Sequence, residues 1–168
     1  MLWIDHVGVV ARDLDESVAF YTRLFGDPID RVEWRGDDAA NVARLMGRPP
    51  GLELDAVFFQ IPYTNAIFEV VSFRGVDQAE VVSGNADIGA THFGFAVEDI
   101  EATVTRLGLD VSGIAAPLPI GPYRGGRSVY LKDPNGANIQ LMQLAGRPGR
   151  LPVLRPGDPP DEVPGGAA

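Results

Sequence analysis

The 168 residues suit one domain, or two small modules sharing a core. A net charge of −9 argues against nucleic-acid backbones and anionic membranes as partners, and no apolar run approaches the roughly 20 residues of a membrane helix. Cysteine is absent, which excludes disulfides, thiolate metal sites and thiol nucleophiles together.

The start, Met1-Leu2-Trp3-Ile4-Asp5, has no basic segment followed by an apolar stretch, so no signal peptide is expected and the expected address is cytoplasmic. Residues 2–11 alternate as a strand does, with Ile4, His6, Gly8 and Val10 on one face and Val7 and Val9 on the other. Asp13, with Glu16 three residues on, reads as a helix cap. Leu14, Val18, Tyr21 and Phe25 then follow at helical spacing, and Gly26 suits a left-handed stop. Residues 28–35 read as a strand, 37–53 as a helix-like insertion around Asn41–Met46, and 54–61 and 66–73 as strands joined by a short turn. The order repeats: a strand at 90–98, a helix capped by Asp99 and stopped by Gly108, and an edge strand at 109–120 carrying Pro117 and Pro119. Strands at 127–132 and 137–144 follow, joined by the turn Asp133-Pro134-Asn135-Gly136. From Gly146 onward eleven of 23 residues are Pro or Gly, the composition of a disordered or surface-draped tail. The expected organisation is one domain over 1–145, made of modules 2–73 and 90–145 with the insertion at 37–53, followed by the tail at 146–168.

The repetition extends to chemistry. Asp5-His6-Val7-Gly8 returns as Thr91-His92-Phe93-Gly94, offset by 86 residues, and these are the only two histidines. Ala66-Ile67-Phe68-Glu69-Val70-Val71 returns as Ala137-Asn138-Ile139-Gln140-Leu141-Met142, offset by 71. Each half therefore opens with a His and closes with a Glu or Gln. Small residues share the histidine faces while Val7, Val9, Phe93 and Phe95 point the other way, so each histidine is expected on a roomy surface away from the helices. Taken alone, a His is more often a hydrogen-bonded packing residue than a ligand. Two imidazoles, a carboxylate and an amide oxygen at matching places point instead to one divalent ion, of the kind of Zn, Ni, Co, Mn or Fe(II).

At these residues the chain resembles the vicinal oxygen chelate superfamily, which includes glyoxalase I, methylmalonyl-CoA epimerase, extradiol dioxygenases and fosfomycin- and bleomycin-resistance proteins. The resemblance covers residues 2–145 apart from the insertion. It implies an α+β fold in which two tandem βαβββ modules form a cupped eight-stranded mixed sheet around a metal. Carried over by position, His6, Glu69, His92 and Gln140 take the four ligand places. Two retained histidines count against a pure ligand-sequestering protein, since bleomycin-binding relatives lack them. Tyr130 and the following Leu-Lys-Asp-Pro-Asn-Gly match the extradiol pattern, but Gln140 replaces that pattern's glutamate, and residues 121–128 contain no histidine where the dioxygenases carry one.

The leading expectation is a metal-dependent isomerase, epimerase or lyase acting on a small oxygen-chelating substrate through an enolate. The alternatives are an Fe(II) or Mn(II) ring-cleaving dioxygenase and a small-molecule-binding, resistance-type protein. An isomerase also needs a base. Asp55 precedes Ala56-Val57-Phe58 where the epimerase carries its catalytic carboxylate, and alternation places it with Val57 and Phe59; a strand-end Asp facing solvent is the other reading. Glu69 is the second candidate base. Tyr123, Arg124 and Arg127 are candidates for binding a substrate anion, or are simply solvated. A homodimer is a possible assembly.

Overall fold

A computed structural model describes residues 4–62, 64–81, 83–109, 116–117 and 125–145. Each module begins with a strand and a capped helix. In the first, β1 (His6–Val10) leads into α1 (Leu14–Phe25), whose first turn is closed by Asp13 Oδ1 accepting the Glu16 N–H at 2.9 Å. In the second, β5 (His92–Ala96) leads into α3 (Ile100–Leu107), where Asp99 Oδ1 accepts the Ala102 N–H at 2.8 Å. Gly108 ends α3 in the left-handed conformation (φ 73°, ψ 25°). Gly26 ends α1 at φ 93° but ψ −164°, so it departs from the expected left-handed helical stop while still using a positive φ.

The first module continues through β2 (Asp30–Trp34), α2 (Gly36–Leu45), β3 (Glu53–Gln60) and β4 (Ile67–Arg74). The second continues through β6 (Ala116–Pro117), β7 (Arg127–Lys132) and β8 (Asn138–Gln143). Of the edge strand expected over 109–120, Ala116 and Pro117 pair with β7, and 110–115 and 118–120 lie outside the described residues. The tail from 146 lies outside them too.

The fold is α+β, as expected, and the sheet arrangement is more specific. Among the described residues the strands form two four-stranded sheets, ordered β1-β4-β3-β2 and β5-β8-β7-β6, where one eight-stranded sheet was expected. In each, the first strand pairs in parallel with the last. The sheets are joined through their helix-bearing faces. Val9, Phe68, Val57 and Phe59 of one module and Val129, Ile139 and Leu141 of the other form a single core with α1 and α3. Phe68 lies edge-on to Phe93 at 5.7 Å, and Phe25 edge-on to Phe95 at 5.2 Å. Interlocked rings of this kind contribute about 0.5–1.5 kcal/mol per pair beyond the area they bury.

A buried polar bridge reinforces the same contact. Tyr21 of α1, fully buried, donates its hydroxyl proton to Asp133 Oδ2 at 2.9 Å. Asp133 Oδ1 also accepts the N–H groups of Asn135 and Ala137, closing the β7–β8 turn. Asn135 in turn donates to Ser17 Oγ and accepts the Arg12 N–H, both at 2.9 Å. Burial, and then the Asp133 charge, push the Tyr21 phenol well above its ordinary pKa, so it stays a donor.

The insertion does more than interrupt the module. Ala43 of α2 is buried with Leu52, Leu54, Ala56 and Val71, and Phe58 and Phe73 pack against this cluster. Register pairs Phe58 with Glu69, Ala56 with Val71 and Leu54 with Phe73, so these residues occupy the sheet face opposite α1. That sheet is therefore covered on both faces near its β2 side. No helix among the described residues is long and apolar enough to cross a membrane.

Candidate functional site

Register is what brings the repeated residues together. In the first sheet Gly8 pairs with Glu69, and His6 with Ile67. In the second, Gly94 pairs with Gln140, and His92 with Asn138. The two sequence offsets thus resolve into one arrangement made twice: a histidine on the first strand, a glycine two residues on, and the acidic or amide residue beside that glycine. The glycines make room for it. A Cβ on Gly8 would stand 3.1 Å from Glu69 Oε2, and one on Gly94 would stand 3.9 Å from Gln140 Oε1. Both carboxylate and amide therefore lie across the small residue, on the face that carries the histidine.

Neighbouring groups orient these donors. His6 bonds Asp5 Oδ2 through Nδ1 at 2.9 Å, which leaves Nε2 for another partner. That hydrogen bond, and then the Glu69 and Asp5 charges, hold the His6 pKa above its ordinary value against the opposing effect of desolvation. Gln140 donates Nε2–H to Ser128 Oγ at 2.7 Å, so its carbonyl oxygen is the end turned towards Gly94. His92 meets the edge of Tyr130 at 5.5 Å, and Tyr130, 44% exposed, pairs in register with Gln140. Imidazole Nε2, a carboxylate and an amide oxygen make a donor set suited to a divalent ion. Among the described residues no three His, Asp or Glu side chains gather round one point that would hold one. The structure thus presents two half-sites, His6 with Glu69 and His92 with Gln140, one on each sheet.

Two of the other candidate residues, Asp55 and Arg127, lie elsewhere. Asp55 shares a strand face with Val57 and Phe59, as alternation implies, but that face belongs to the helix-packed core. Its register partner is Ser72, whereas Glu69 pairs with Phe58 on the opposite side. Asp55 is buried and accepts hydrogen bonds from Arg74 Nη1 at 2.6 Å and Arg35 Nη2 at 2.5 Å. The Arg74 hydrogen bond, with Arg35 in support, holds its carboxyl below the usual range although burial opposes this. The two arginines come from β4 and the β2–α2 junction, so neither adjoins Asp55 in the sequence. Arg127 likewise faces the helices: it pairs in register with Gln143 and forms an ion pair with Glu101 of α3. It is not on the Gln140 face. Tyr123 and Arg124 lie outside the described residues.

Two supporting residues were missed in the sequence. Asp5 had the plain signal of adjacency to His6. Ser128 was legible through the Asp133–Gly136 turn, which sets Tyr130 opposite Gln140 and Ser128 opposite Met142.

Comparison with known proteins bears on the family and the fold. The model of the glyoxalase/bleomycin resistance protein/dioxygenase superfamily matches residues 3–141. A 2-epi-5-epi-valiolone epimerase from Actinomyces sp is 29% identical over 161 residues, covering 86% of this chain and 81% of that protein. A probable lactoylglutathione lyase from Vibrio cholerae is 28% identical over 140 residues, covering 82% and 88%. A probable chloroplastic lactoylglutathione lyase from Arabidopsis thaliana is 27% identical, and the chain spans 39% of its length. Among solved structures, a glyoxalase family protein from Bacillus cereus superposes with a TM-score of 0.67 at 20% identity, covering 84% of this chain and 93% of that one. The fosfomycin resistance protein FosX of Listeria monocytogenes superposes at 0.54 with 17% identity, covering 86% and 94%. At those identities the structural likeness speaks for the fold.

Proposed function

Because the chain belongs to the glyoxalase/bleomycin resistance protein/dioxygenase superfamily, we propose that it is a metal-dependent isomerase, epimerase or lyase acting on a small substrate with two neighbouring oxygens. The observation that carries this reading is the shared register, which sets Glu69 beside Gly8 and Gln140 beside Gly94 with a histidine two residues before each glycine. The names of the epimerase and lyase relatives favour proton-transfer chemistry over simple sequestration.

In this reading His6, Glu69, His92 and Gln140 hold a divalent ion such as Zn, Ni, Co, Mn or Fe(II). Bound there, the ion supplies Lewis acidity towards the substrate oxygens and makes the adjacent C–H more acidic. The chain's own groups do the rest. Asp5 fixes the His6 ring and Ser128 fixes the Gln140 amide, so the donors are aligned beforehand. With Asp55 committed to Arg35 and Arg74 on the other face, Glu69 is the carboxylate left to move the α-proton, releasing the ion to do so, and Tyr130 would donate a hydrogen bond to a substrate oxygen. We assign the joining of the two half-sites to a homodimer, in which one chain's pair meets its partner's.

The test begins with elemental analysis of purified protein. Stoichiometric Ni, Co, Zn or Mn is expected, and His6→Ala or His92→Ala should lose the metal while the far-ultraviolet spectrum stays native. Retention of stoichiometric metal by either variant after dialysis against a weak chelator would overturn the ligand set. Gln140→Glu adds a negative charge and a stronger donor, so it should tighten metal affinity in a competition titration. A ring-cleaving dioxygenase is the second reading, favoured by Tyr130 standing edge-on to His92. Oxygen-sensitive Fe(II) with catechol-dependent oxygen uptake would select it.

A further inference from the structure

A cavity of about 720 Å³ opens beside the first half-site, in the size range of small-molecule sites. Its walls come from four places: the ends of β1 and β4 at Val10 and Phe73, the segment after α2 at Met46 and Leu52, the inter-module segment at Val76 and Ala79, and the β7–β8 turn at Asn135 and Ala137. Val10 lies two residues beyond Gly8 on the same strand face, which places the cavity floor roughly 7 Å along the strand from the glycine that Glu69 covers. Phe73 is four residues beyond Glu69 on the matching face of β4. Val10 and Phe73 therefore extend the Glu69 face into the cavity, and Met46 and Leu52, which follow α2, close one side of it.

Charge at the cavity cancels. Arg12 pairs with Glu80 at 2.6 Å, and Arg48 and Asp77 oppose each other in sign. Nothing there favours an ionised group of either sign, whereas the floor is aliphatic and aromatic. We propose that this cavity takes an apolar arm of the substrate, an alkyl or acyl chain or a hydrocarbon ring, attached to the oxygens that meet His6 and Glu69. The proposal rests on the functional reading above for the oxygen-bearing head, and on the cavity alone for the arm. The arm begins about five carbons from the head, the span of that ~7 Å step. A bare polyol would leave the floor unmatched. The residues that select the substrate thus lie in the insertion and the inter-module segment as well as at the ends of β1 and β4.

The experiment uses the full chain loaded with Zn and two series of probes in isothermal titration. Straight-chain 2-oxo acids from pyruvate to 2-oxododecanoate carry a chelating head, and 1-alkanols from butanol to octanol carry none. The dissociation constant should fall about fourfold per methylene, throughout the alkanols and beyond about five chain carbons in the oxo acids, where the chain enters the cavity. Ala79→Trp, at an exposed position on the cavity wall, should flatten both series while leaving pyruvate affinity and metal content as in the parent. Alkanols and long oxo acids that bind without chain-length dependence, or with a dependence that Ala79→Trp leaves intact, overturn the proposal. If instead both series keep the slope and lose it in Ala79→Trp, while pyruvate binding is indifferent to the metal, the cavity stands and the metal-dependent reading of the head falls.

Discussion

Gly8 and Asp55 show how much depends on which face of a strand a side chain occupies. At Gly8 a methyl group would stand 3.1 Å from Glu69 Oε2, so the carboxylate has to move by a few tenths of an ångström. A strand position gains about 0.5–1 kcal/mol when Ala replaces Gly. Gly8→Ala should therefore leave the melting temperature unchanged or slightly raised while weakening metal affinity by roughly tenfold, the lower end of what misplacing a ligand costs. Unaltered affinity in a chelator competition would show that Glu69 is not held by that contact. Asp55→Asn should do the opposite. It takes a paired charge from between Arg35 and Arg74 and should cost about 1–3 kcal/mol in denaturant unfolding, with metal content and substrate proton exchange intact. Lost exchange at unchanged stability would restore Asp55 as the base. The pH dependence follows from the lowered carboxyl pKa. Its stabilising contribution is complete above about pH 4, where the unfolded carboxyl is ionised. The contribution fades below that and is gone once the pH drops under the folded carboxyl's own lower value. In Asp55→Asn this part of the acid sensitivity should be missing.

At the scale of elements, the contact between α1 and the β7–β8 turn is what makes two modules one core. Tyr21, Asp133, Asn135 and Ser17 satisfy one another beside the aromatic rings of the shared core. Tyr21→Phe preserves the ring packing but removes the donor facing a buried carboxylate, so it should cost about 1–3 kcal/mol. Measured together with Asp133→Asn, the pair should show a coupling of about 0.5–3 kcal/mol. Additive losses would mean that the hydrogen bond links nothing. The same scale explains the insertion. An amphipathic helix needs an apolar surface to cover, and α2 finds one on the Glu69 face of its own sheet, while the residues that follow it, Met46 and Leu52, become a cavity wall.

For the whole molecule, the residues assigned to the metal lie outside the shared core. Chelator should leave the protein folded, and added metal should stabilise it by mass action. At a free metal concentration a hundred times the dissociation constant the gain is about 2.7 kcal/mol, a rise of roughly 5–10 °C for a chain of this size. His6→Ala should melt at the same temperature with and without metal in differential scanning calorimetry. Sedimentation of the metal-loaded protein should report a dimer. A monomer at micromolar concentration with full metal content would place the joining of the half-sites within one chain.

Much of this protein is local and was legible as such. Alternation around His6 and His92, the caps at Asp13 and Asp99, and the Asp133–Gly136 turn each determine their element through contacts within a few residues. Because the chain repeats, those local signals also implied matching positions for Glu69 and Gln140, and the family resemblance carried by these residues implied the fold class. What sequence could not supply was anything decided by which surfaces meet. Alternation says that Asp55 and Val57 share a face; only the seating of α1 makes that face the core, and only the return of Arg74 on β4 lowers the Asp55 pKa. Arg127 was turned from the candidate site by Glu101, a residue on a helix 26 positions away. The division into two sheets, the placement of α2 over the Glu69 face and the cavity between the insertion and the inter-module segment are likewise tertiary. Each depends on apolar surfaces far apart in the chain choosing one another, and no periodicity within a strand or helix carries that choice.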